Sequence, residues 1–227
     1  MIALTLLELP AAPSLLLQLG FVLLSLALAA FVGWWSRRPL IPALWLLLTA
    51  GLALGGVLQL IVVPPPLLLL LVVGLVGLVS WHGRGRWRDI PLRLLVGMQS
   101  FRIVVELLIH LAVVEGVAPE QLTWTGLNFD LLTGLSALLL FPFAERLPRW
   151  ALMIWNLLAL GLLINVVTVA ILSLPLPIQQ FEPVNAWVAF FPFQWLPMVM
   201  VMLAALGHVA LFRRLRRPPG NARTHGA

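Results

Sequence analysis

Apolar runs of membrane-crossing length, each closed by charged or proline-rich punctuation, repeat along the whole chain. The first covers 15–35 and stops at Arg37 and Arg38. The second, 40–63, meets Pro64, Pro65 and Pro66, which cannot continue a helix. A third, 67–81, precedes a loop bearing Arg84, Arg86 and Arg88. Pro91 stands at a favoured first-turn position for a fourth run, 91–114. A linker rich in Glu, Thr and Gly then leads to a fifth at 127–143; Glu145, Arg146 and Arg149 separate it from a sixth at 150–172. A proline-rich stretch precedes the seventh, 190–212. About 20 apolar residues in a helix cross a hydrocarbon layer of about 30 Å. The pattern therefore predicts an all-α, seven-transmembrane-helix bundle over 1–212, followed by a basic, disordered tail at 213–227.

The charges orient the bundle. Every arginine except Arg102 falls in the 37–38, 84–93 and 146–149 segments or at the C-terminal end, whereas Glu8, Glu115, Glu120 and Glu182 fall on the other side. The positive-inside rule then places the N-terminus outside and the C-terminus in the cytoplasm, as a multi-pass protein of a cell inner membrane. No basic residue precedes the first run, so no cleaved signal peptide is expected. Tryptophans at span ends, among them Trp34, Trp35, Trp81, Trp87, Trp150, Trp187 and Trp195, read as interfacial anchors, and His208 reads as interfacial too.

Composition agrees and removes several chemistries. Of 227 residues, 62% are hydrophobic and 10% charged, with a mean hydropathy of +1.06, against about 25% charge in a soluble domain. Cysteine is absent, which excludes disulfides and thiolate chemistry. All 14 Lys+Arg residues are arginine, so no Schiff base and no covalently held retinal is possible. The basic balance comes from loop and tail clusters facing the membrane surface and gives no reason to expect nucleic acid.

One stretch breaks the apolar rule. In 98–130, Gln99, Arg102, Glu106 and His110 recur at spacings of three, four and four, which puts them within an arc of roughly 80° on one helix face. Asn128 and Asp130 follow at the head of the fifth run; Asn165 lies in the sixth, with Asn156 nearer the cytoplasm, and Gln194 and Trp195 open the seventh. Pro197 leaves the carbonyl near Phe193 short of a partner. Ionisable groups in a bilayer are costly and mark interior sites. Together these residues predict a polar pocket in the outer half, roofed by 115–126 and 173–189 and binding a small or amphiphilic molecule.

Each member also has a plainer reading. Arg102 and Glu106 neutralise each other at i,i+4, Asp130 and Asn128 cap a helix, and Asn165 holds helices together. His110, Glu106 and Asp130 have the donor types of a two-carboxylate, one-histidine site, but no HExxH or HxxxH spacing accompanies them, so neither metal nor cofactor is expected. Three functions are compatible. One is a transporter or sensor for an amphiphile. Another is an intramembrane enzyme on a lipid or isoprenoid, with Glu106, Asp130 or His110 catalytic and Arg102 holding an anionic group. The third is an assembly subunit held by its charge cluster.

The stretches FRIVVELLIH, GLNFDLLTGLSA, WNLLALGLLINVVTVAILSLPLP and PVNAWVAFFPFQWLP resemble an uncharacterised bacterial multi-pass membrane protein family. The resemblance covers about 91–212. It implies that Arg102, Glu106, His110, Asn128, Asp130, Asn165 and Asn185 belong to the family pattern, and it implies no activity.

Overall fold

A computed structural model of the chain describes residues 7–59 and 90–216. Among them the secondary structure is helical, with no strand. Six apolar helices follow one another: α1 (Leu15–Ser36), α2 (Leu40–Leu54), α3 (Leu92–Val114), α4 (Leu131–Phe143), α5 (Arg149–Leu172) and α6 (Leu196–Leu215). α1, α3, α5 and α6 are long and apolar enough to cross a membrane, which marks the chain as a membrane-embedded protein. The expected run at 67–81 and residues 217–227 of the expected tail lie outside the described residues, whereas Arg213, Arg214 and Leu215, expected in that disordered tail, form the last turn of α6.

Local chemistry sets the helix ends. Ser14 caps α1, its Oγ accepting from the Leu17 N–H at 3.1 Å, and Arg37 ends that helix in the left-handed region at φ 54°. α2 stops at Leu54, nine residues before its expected end at 63, because Gly55 and Gly56 turn the chain and Gly56 takes φ +75°. α4 begins at 131 and not at 127, and α6 at 196 and not at 190. Both late starts let irregular backbone descend into the bundle, and such backbone is tolerated at membrane depth only where protein satisfies its polar groups.

α6 is the central helix: 61% of its apolar window is buried, against 22% for α5. Two apolar clusters pack around it. One holds Leu17, Phe21, Val105, Ile109 and Trp187; the other holds Leu95, Val96, Leu152, Leu206 and Leu211. On α3 the residues between Val96 and Val105 include buried Gln99 and Arg102, so the polar group sits where the two clusters meet.

α6 opens as a π-helix over Leu196–Val201 around Pro197. Its unusual register is satisfied from outside: the Trp45 indole donates to the Met198 carbonyl at 2.8 Å and the Trp195 indole to Thr49 Oγ1 at 3.1 Å, tying α2 to this turn. The Phe193 carbonyl, expected to lack a partner, accepts from the Leu196 N–H at 2.9 Å. Trp187 and Trp195 are not interfacial anchors, because the segment before α6 folds back onto the bundle. Trp187 is fully buried against Phe21 and Phe193, with ring centroids 5.6 and 5.0 Å away. Trp34 and Trp150 remain exposed, as an anchor requires.

Candidate functional site

Arg102, Asp130 and His208 form the heart of the site. Arg102 does not pair with Glu106 one turn along its own helix. Its Nη1 donates to Asp130 Oδ1 at 2.7 Å, and its Nη2 lies 3.1 Å from His208 Nε2. A guanidinium can only donate, so Nε2 is the acceptor and His208 carries its hydrogen on Nδ1. That nitrogen donates to Asn156 Oδ1 at 2.8 Å, and the Asn156 amide donates back to the His208 carbonyl at 3.3 Å. One hydrogen-bonded line thus runs from α4 through α3 and α6 to α5. His208 is 1% exposed and Asn156 fully buried, which corrects the interfacial assignment of His208.

Two close approaches make the line possible. A Cβ at Gly134 would lie 2.9 Å from the Ile103 backbone nitrogen, so glycine lets α4 pack against α3 beside Arg102. A Cβ at Gly207 would collide with the Gln99 side-chain amide, so glycine there lets Gln99 reach the Ala204 carbonyl at 3.2 Å. That contact seats α3 against α6 next to His208. The short α4 matters equally: its first residues start within the bundle, which brings Asp130 down to Arg102.

Asn128 holds the descending segment. Its Oδ1 accepts from the Asp130 N–H at 2.9 Å, while its Nδ2 donates to the Leu122 carbonyl at 2.9 Å and to Glu106 Oε1 at 2.5 Å. Glu106 is 1% exposed, and among the described residues its second oxygen, Oε2, has no partner. Arg102 Nε is likewise unpartnered there.

Both side chains line a cavity of about 240 Å³ between α3, α5, the 173–189 segment and the start of α6. Its described lining contains three charged residues, Arg102, Glu106 and Asp130, and one amide, Asn185; the rest is apolar, including Leu163, Val167, Ala170 and Met200. Leu122 and the 173–189 segment supply the roof anticipated from the sequence. Gln121 fastens that roof by donating to the Pro183 carbonyl at 2.7 Å and to Ser173 Oγ at 3.1 Å, and Asn185 by donating to the Ala170 carbonyl at 3.0 Å.

Other expected members stand apart. His110 stacks on Trp124, with ring centroids 4.2 Å apart, and its Nδ1 lies 3.5 Å from Thr123 Oγ1. Asn165 donates to the Leu127 carbonyl at 2.8 Å at a partly exposed edge, and so acts as a tie between helix and loop. Gln194 is fully buried, and with its side-chain amide turned so that the nitrogen faces them it donates to the carbonyls of Phe190 (3.0 Å) and Pro192 (3.3 Å). Gln99 and Trp195 are structural in the same way. Among the described residues no three His, Asp or Glu side chains converge as metal ligands.

His208, Asn156 and Asn185 are the cluster and cavity members not proposed as site residues from their positions alone. A depth match was available for the first two: Asn156 stands seven residues after Arg149 and His208 seven before Leu215, at one level of neighbouring helices.

The chain matches no protein-family model, no curated protein and no solved structure. Function is therefore read from the chemistry of the site.

Proposed function

We propose that the protein is a seven-helix membrane protein, N-terminus outside, that binds an amphiphilic molecule in this cavity as a transporter or sensor of a cell inner membrane. The observation that carries the reading is the buried Glu106, half-satisfied among the described residues, at a cavity whose described lining is mostly apolar. If the charges served only to hold helices, each would be spent on another part of the protein. Arg102 and Asp130 neutralise each other in that way. Among the described residues Glu106 keeps one oxygen without a partner, and a buried acceptor left open is costly. The apolar walls suit a hydrocarbon tail. At about 240 Å³ the space exceeds the roughly 150 Å³ apolar cavity known to take a benzene. Arg102, considered from the sequence as an anion holder, already donates to Asp130 and His208.

Native mass spectrometry of protein released from its own membranes tests the reading. Wild type should carry an amphiphile adduct that Ala170→Phe, which fills the cavity wall, loses while melting at a similar temperature. An unchanged adduct in Ala170→Phe would overturn the cavity as the binding site.

A further inference from the structure

We propose that the cavity selects amphiphiles with a protonated amine head, and that the amine and a proton compete for Glu106. The proposal rests on the cavity reading above and names its ligand class.

Charge complementarity carries it. The described lining holds one cation, Arg102, and two carboxylates, Asp130 and Glu106. Asp130 is matched by Arg102 at 2.7 Å, so the surplus is a single negative charge on Glu106. The neighbours do not cancel it. Asn128 is neutral and occupies only Oε1. On α3 itself His110 is turned to Trp124 and Thr123. On α6 His208 accepts from Arg102, and so brings no positive charge. The described cavity lining from α5 and 173–189 includes no ionisable residue.

An uncompensated charge buried at this depth is strongly unfavourable, so the carboxylate takes a positive partner. Without ligand that partner is a proton; with ligand it is an ammonium donating to Oε2. An anionic head would have to share Arg102 with Asp130, which already holds its Nη1 at 2.7 Å, and would add a third negative charge. An alcohol donates equally well but leaves the charge unbalanced.

The exchange balances without a further reactant. The Glu106 carboxylic acid and R–NH3+ give the carboxylate paired with R–NH3+, and the acid proton passes to water. The nitrogen keeps its three hydrogens, and no covalent bond changes except the O–H of Glu106. A site that holds either a proton or an organic cation has the minimum chemistry for proton-coupled exchange of such cations.

Binding of radiolabelled decylammonium to the full chain in phosphatidylcholine nanodiscs tests this, with unlabelled decylammonium, decanol and decanoate as competitors. Decylammonium should bind saturably, and decanol and decanoate should compete at least about tenfold more weakly. A pH-indicator dye in weak buffer should register about one proton released per amine bound. Glu106→Gln keeps an acceptor for Asn128 and should abolish both signals. Equal or better competition by decanol or decanoate would overturn the amine class while leaving the amphiphile site standing. Saturable binding without proton release would overturn the competition. If none of the three chains binds saturably, the cavity reading itself falls. The comparison of heads on wild type needs no variant to fold.

Discussion

At the scale of single residues, the interior charges divide into those the protein uses on itself and one it does not. Arg102, Asp130, His208 and Asn156 are hydrogen-bonded to one another in a line across four helices, and that arrangement makes the partners interdependent. Asp130→Asn should cost about 3–5 kcal/mol, because it leaves the guanidinium in a low-dielectric interior without its counter-charge. The double change Arg102→Met, Asp130→Leu should recover most of that loss, since an apolar pair can replace a buried ion pair at little cost. Thermal melting of both variants in detergent measures the difference. A double variant as unstable as Asp130→Asn would mean that Arg102 stabilises the bundle mainly through His208.

At the scale of elements, close helix approach determines which polar groups meet. α4 reaches Arg102 because Gly134 removes the side chain that would strike the Ile103 backbone. Gly134→Ala should destabilise by about 1–3 kcal/mol through this overpacking. Gly161→Ala, on the open face of α5 with nothing within 4 Å of the added carbon, should be neutral or slightly stabilising from helix propensity alone. Melting temperatures of the two variants check the contrast, and equal losses would remove the α3–α4 contact as the positioning device. The π-turn at Pro197 is the second such element. It redirects the entry of α6 and presents a carbonyl to Trp45.

At the scale of the whole molecule, charge is distributed by end. Among the described residues, Arg37, Arg38, Arg93, Arg146, Arg149, Arg213, Arg214 and Arg216 lie at or near the ends of helices that share one end of the bundle. Glu115, Glu120 and Glu182 occupy the segments at the other end, where Ser14 at the head of α1 also donates to Glu115 through its backbone at 2.8 Å. Reporter fusions after Arg38 and Arg149 should therefore read cytoplasmic, and fusions after Glu120 and Glu182 external. An internal signal at either glutamate would overturn the proposed orientation and, with it, the proposed placement of the cavity in the outer half of the bilayer.

The sequence by itself determined that the chain is helical and membrane-embedded, and it located six described helices to within a few residues except where backbone irregularity intervened. Apolar length and punctuation carry that information locally, so no partner need be known. It also singled out Arg102, Glu106, Asn128 and Asp130, because charge inside an apolar run is visible in one dimension. Which charges pair was decided only by tertiary structure. The i,i+4 spacing suggested Arg102 with Glu106, yet the late start of α4 and the glycine at 134 bring Asp130 closer. His208 and Trp187 looked interfacial by position, and the α6 crossing and the fold-back before it buried them. The open oxygen of Glu106 is likewise a tertiary fact: among the described residues Asn128 reaches only one side of the carboxylate, and the space beside the other exists because four described segments leave a gap there.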